Sequence, residues 1–223
     1  MRLEPPWQFW ADFQTDRGPV QDLVGPNALP KGVTLTLAAK AHAEGLLSEP
    51  RKIRGQVTLS KTALAYKDLA AKTDGDVKLR FLGDKVTFEQ LAFITDDGSR
   101  MDVRGNVAGS GLDMELELHS DLSASKLFVQ SVTQAYGPIN LRLSVTGTAD
   151  APVLVGQGSL TQGLLVVDGF PHRFQNLETP ISFVRDRVVM DPLIFTLDES
   201  PVRGNADVAL KGFSISNITL QAL

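Results

Sequence analysis

The chain has 223 residues, 43% of them hydrophobic, enough for one packed core or two small ones. Its 22 basic and 26 acidic residues leave a formal charge of −4, so it has no cationic field to hold a phosphate backbone, which argues against nucleic acid as a partner. With no cysteine it has no disulfide, thiolate metal site or Cys nucleophile. Apolar runs such as GLLVV at 163–167 fall well short of the roughly 20 residues of a membrane-spanning helix, and MRLEPPWQFW has no signal-peptide apolar region.

In chain order, WQFWADFQ through VQDLV, ahead of Gly25-Pro26, reads as a weak helix. Trp7, Phe9, Trp10 and Phe13 form either its core side or a surface for a neighbouring repeat or a membrane. VTLTLA at 33–38 then alternates apolar and polar residues, as do VKLRF at 77–81, KVTF at 85–88, MELELH at 114–119, INLRLSV at 139–145 and RVVM at 187–190. Period two means strands with one apolar face. Between the strands lie turn sequences: TDGD at 73–76, LGDK at 82–85, TDDGS at 95–99 and AGSG at 108–111. SASKLFVQSVTQAY at 123–136 suits a helix, with Ser123 as N-cap and Gly137-Pro138 as stop. The expected fold is mainly β: an elongated, curved antiparallel sheet in which each unit has one short helix and five to seven strands.

The chain also repeats itself. VRGN occurs at 103–106 and again at 202–205, and upstream Phe81, Asp84, Val86, Phe88, Leu91 and Phe93 meet Phe183, Asp186, Val188, Met190, Leu193 and Phe195, every pair 102 positions apart. Pro50 meets Pro152 at the same offset, and Gln56 meets Gln157 at 101. This predicts repeat 1 over 1–105, repeat 2 over 106–210 and the start of a third unit at 211–223, in a stacked architecture where neighbours help to bury one another. Either the protein is cytosolic or, as this register predicts, the sequence is a segment of a longer chain.

Alternation assigns one face to Val57, Leu59, Leu79, Phe81, Val86, Phe88, Leu91 and Phe93 in the first repeat. In the second it assigns Leu160, Leu165, Val167, Phe183, Val188, Met190, Leu193 and Phe195. Such a face either closes as a sandwich core or stays open as a trough filled by other apolar material, such as acyl chains. Pro192, where the first repeat has Gln90, removes a ladder donor and predicts a bend or bulge.

Residues 141–210 carry Gly147-Thr148-Ala149-Asp150-Ala151-Pro152, Gly158 with Leu160, Asn176-Leu177 and Gly204. Pro50, Gly55, Leu59, Asp68-Leu69 and Gly105 take the corresponding places in the first repeat, which lacks the Gly-Thr pair. This pattern resembles the repeat of the AsmA-like and TamB proteins of Gram-negative envelopes. The resemblance implies a taco-shaped β-groove, with the sixteen residues above as its lipid-binding lining, that carries phospholipid acyl chains across the periplasm or helps outer-membrane protein assembly. It further implies an inner-membrane anchor in parts of the chain not present here and an outer-membrane assembly barrel as partner. A structural spacer or adhesin-like scaffold with a closed core and protein partners is the alternative.

Enzymatic readings find little purchase, and the expectation is a non-enzymatic protein without cofactor or metal. His42, His119 and His172 are scattered, with none at metal spacing from another. Asp96-Asp97-Gly98-Ser99 lacks the alternating ligands and closing Glu of a calcium loop and reads as a hairpin turn. No Gly-rich loop sits between a strand and a helix, so the glycines read as turns and strand openers.

Overall fold

The computed structural model describes residues 7–20, 32–66, 69–109, 111–127, 131–148 and 150–222. They are mainly β, in antiparallel strands, as the alternation predicts. The chain divides into two compact units: Met1–Gly98 with Asp102–Ser110, and Ser99–Met101 with Gly111–Leu223.

In the first unit β1 (Gln8–Pro19) pairs with β2 (Val33–Leu46), and β2 pairs with β3 (Arg54–Tyr66). Two short strands, β4 (Leu69–Thr73) and β5 (Val77–Leu82), share the other edge of β3, and both then pair with β6 (Lys85–Thr95), beside which runs β7 (Arg100–Ala108). In the second unit the order is β8 (Gly111–Asp121), β10 (Pro138–Thr148), β11 (Pro152–Val167), β12 (Arg173–Arg185), β13 (Arg187–Leu197), β14 (Ser200–Lys211) and β15 (Ser214–Ala222). β9 (Val132–Tyr136) pairs with the far half of β11.

The internal repeat is visible in the strand registers. Phe81 lies opposite Val86, and Phe183 opposite Val188. Each hairpin closes through a two-residue turn, Gly83-Asp84 or Arg185-Asp186, whose first residue has positive φ, the geometry whose twist matches that of paired strands. Gly55 faces Phe81 as Gly156 faces Phe183, and Gln56 faces His42 as Gln157 faces Arg142. On this mapping β3 corresponds to β11, and β2 corresponds to β9 and β10 together. β4 with β5 corresponds to the unbroken β12. Two of the suggested matches do not hold: Gly55 takes the place of Gly156 and not of Gly158, where the first unit has Val57, and Leu69 faces Tyr66 whereas Leu177 faces Gly163, Asp68 lying outside the described residues.

Bulges line up across neighbouring strands. In the first unit Lys61 and Thr62 of β3 both oppose Leu37 of β2, Lys61 at φ 52°, and the break between β4 and β5 lies on the other side of β3. In the second unit the register slips at Gln162 (φ 51°), again at Asn176 (φ 51°), and again between Met190 and Leu193. The last slip is the bend expected at Pro192. A bulged strand bends and twists, so aligned bulges crease the sheet of each unit along one line. That crease explains how a single layer buries Leu37, Thr62 and Val77 in one unit and Leu160, Leu177, Thr179 and Leu193 in the other.

The expected helices are absent among the described residues. Trp7 to Phe13 lead into and form β1, and only 21–24 of that segment lie outside the described residues. Trp10 is 74% exposed, and Trp7 and Phe13 are exposed too, so this cluster is not the core side of a helix. Residues Leu122–Leu127 make a short 3-10 turn and Val132–Tyr136 are strand, with Ala135 fully buried. The cap is not Ser123 but Asp121, whose carboxylate accepts from Ser123 N and Gly137 N, both at 2.8 Å. The helical reading fails because Val132, Thr133 and Tyr136 favour strand and the edge of β11 at Leu164–Val167 supplies ladder partners.

Candidate functional site: one apolar sheet face in each unit

Side chains alternate across a strand, so a register assigns whole rows to one face. In the first unit Ala41, Val57, Leu79 and Phe88 lie opposite one another across β2, β3, β5 and β6, and Phe81 and Val86 continue the same face. Leu59 sits on it opposite Val77, and Leu91 and Phe93 lie beyond the shift in β6, Phe93 opposite Thr73. All eight proposed lining residues of this unit are half-buried.

In the second unit Phe183, Val188 and Val208 form one row; Met190 faces Ala206, Leu193 faces Gly204 and Phe195 faces Val202. Leu160 lies opposite Thr179, Leu165 opposite Phe174 and Val167 opposite Val132. Here the face is more completely filled. Leu160, Val188, Leu193 and Phe195 are buried in a cluster with Leu177, Ile181, Ala206 and Val208, while Leu165, Phe183 and Met190 pack on it half-buried. An aromatic chain runs outward from it: Phe195 edge-on to Phe174 at 5.3 Å, and Phe174 stacked on Phe170 at 5.2 Å, with Phe170 40% exposed. Among the described residues no large side chain of either unit is less than 2% exposed.

Leu177, Ile181, Val208 and Phe174 are lining residues that the alternation argument did not select. Val208 was within reach, since VRGNADVAL alternates; Leu177 and Phe174 lie on either side of the Asn176 bulge, which resets the parity that a period-two reading depends on.

The opposite face is solvent-exposed and carries cross-strand ion pairs, beside exposed Val155, Val184 and Ile194 in the second unit. Cross-strand pairs occupy it: Asp12 with His42 at 2.8 Å, Glu44 with Arg54 at 2.7 Å, Glu89 with Arg80 at 2.5 Å and Glu117 with Arg142 at 2.9 Å, together with Arg187 and Asp207. The hydrogen bond from Arg142 to Glu117, with the attraction of that carboxylate, raises the guanidinium pKa above its ordinary value; Asp207 does the same for Arg187. His119 Nδ1 lies 2.6 Å from Asn140 Oδ1, and His172 pairs with Asp198. The 95–99 segment is a turn in which Gly98 N donates to Thr95 O and Thr95 Oγ1 to Asp97. Among the described residues no three His, Cys, Asp or Glu side chains converge as a metal site, and no helix is long and apolar enough to cross a membrane. Chemically, these faces offer apolar contact on one side and ionic contact on the other.

No family model matches the chain, and no match is found among curated proteins or solved structures.

Proposed function

We propose that the chain is a non-enzymatic segment of an AsmA- or TamB-like protein of the Gram-negative envelope, whose apolar sheet face carries phospholipid acyl chains. In that setting it lies in the periplasm between inner and outer membrane, is tethered through other parts of the protein, and moves lipid or supports outer-membrane protein assembly with a barrel partner. The observation that carries the reading is the half-open apolar face of the first unit, where eight large side chains are all partly solvent-accessible. Apolar area left in water costs about 25 cal/mol per Å², and acyl chains remove that cost without demanding particular side-chain geometry. The buried cluster of the second unit favours the alternative, a structural spacer with a closed core.

Native mass spectrometry with lipid extraction, on protein purified from a Gram-negative host, tests the choice. Co-purifying phospholipid, lost on joint Phe88→Glu and Met190→Glu substitution while far-UV circular dichroism is retained, is the expected result. A lipid-free protein that unfolds with the same substitutions would replace the lipid reading with the spacer.

A further inference from the structure

The two units present the same rows of positions but not the same volumes. Ala39, Ala41 and Ala43 of β2 face Leu59, Val57 and Gly55, whereas Ile139, Leu141 and Leu143 of β10 face Leu160, Gly158 and Gly156. Ala71, opposite Leu64, stands where Phe174 lies opposite Leu165. Val57 returns some of the lost volume, because its counterpart is Gly158, over which Leu141 packs closely enough that a Cβ there would lie 2.4 Å from its Cδ2. Ala39 and Ala71 are nonetheless buried, at 8% and 9% exposed, so the volume lost in the first unit is left open at Ala41 and Ala43, which are half-buried. The second unit thus fills its face with its own side chains more completely than the first.

A polar group lies buried on the same face of the first unit. Thr62 is 4% exposed, and its hydroxyl has no hydrogen-bond partner among the described residues. It is the second residue of the β3 bulge, at the position held by Gly163 in the second unit. A Cβ at Gly163 would meet Leu177 Cβ at 2.7 Å and Leu160 Cδ2 at 3.3 Å, so a side chain at this position is aimed at the apolar face. An unmet buried hydroxyl opposes folding. Thr179, the other buried threonine, satisfies its own by donating to Pro180 O at 2.9 Å.

We infer that the first unit is where the ligand binds, with an acyl chain along the alanine row of β2 and the Thr62 hydroxyl donating to its ester carbonyl. This rests on the lipid reading above and adds two things: the unit that binds, and a selectivity for acyl esters over hydrocarbon without a carbonyl.

The test incubates the 223-residue chain with vesicles of diester phosphatidylglycerol or of its dialkyl-ether analogue, removes the vesicles, and measures retained lipid by native mass spectrometry. Wild-type protein retains the ester about fivefold better than the ether, the value of one hydrogen bond. Thr62→Val retains both at the ether level and raises the thermal midpoint, since it removes the unmet hydroxyl at nearly constant shape. Ala43→Leu, which installs the side chain found in β10, reduces retention of both lipids. An unchanged ester-to-ether ratio in Thr62→Val overturns the role of the hydroxyl while leaving lipid carriage standing. Retention abolished by Met190→Glu alone and untouched by Phe88→Glu overturns the assignment to the first unit. Retention of neither lipid by wild-type protein removes the inference together with the reading beneath it.

Discussion

Phe93 and Phe195 occupy the same place in the repeat and differ in what covers them, so truncating each measures how closed each face is. Phe195 is 4% exposed, lies edge-on to Phe174 and belongs to a cluster with Leu193, Val188 and Val208. Phe195→Ala therefore loses nearly the full transfer free energy of the ring, an aromatic contact and some cavity energy. Core Phe→Ala changes cost about 3–5 kcal/mol, and on a single-layer face that relaxes readily the low end applies, about 3 kcal/mol. Phe93 is half-buried, so Phe93→Ala gives up about half the transfer term and leaves no sealed cavity, about 1–1.5 kcal/mol. With a slope of about 2 kcal/mol per molar urea, the midpoint falls by about 1.5 M for Phe195→Ala and about 0.6 M for Phe93→Ala. Far-UV circular dichroism follows both units in urea, while fluorescence of Trp7 and Trp10, the two tryptophans of the chain, follows the first alone. Equal costs at the two positions, or a loss below about 1 kcal/mol for Phe195→Ala, would refute the claim that the second face is self-filled and the first is not.

Three further outcomes follow from local geometry. Gly55→Val forces a Cβ to within 2.1 Å of His42 O and 2.4 Å of Phe81 Cζ, so thermal unfolding should report a loss of about 3 kcal/mol. Gly75→Ala, with nothing within 4 Å but φ at 85°, should lose only about 1 kcal/mol of backbone strain. Asp121→Ala removes two hydrogen bonds to a charged acceptor, those from Ser123 N and Gly137 N, and should cost about 2 kcal/mol and speed amide exchange at both residues.

Strands were readable wherever period two ran uninterrupted, as in Ile139–Val145 and Arg187–Met190, because alternation reports burial on one face directly. The Phe81/Val86 and Phe183/Val188 hairpins were readable as a repeat for the same reason: each sets the same residue types on the same face around a two-residue turn. Val132–Tyr136 was not readable as strand. Five residues carry too little pattern to outweigh the helical spacing of Leu127, Phe128 and Val132, and the deciding partner, Leu164–Val167 of β11, is some thirty residues away. Leu177 and Phe174 were hidden by a bulge that changes parity without leaving a mark in composition.

The sequence by itself determined the class of the fold, the two-fold repetition and the separation of an apolar face from an ionic one, since all three are consequences of local alternation and copy number. Tertiary structure alone decided how open each face is. That depends on which side chains meet across strands: alanines beside Leu59 and Val57 in the first unit, Ile139 and Leu141 beside Leu160 and Gly158 in the second. Cross-strand register is a long-range property, and the free energy that selects it is gained only when the neighbouring strand is in place.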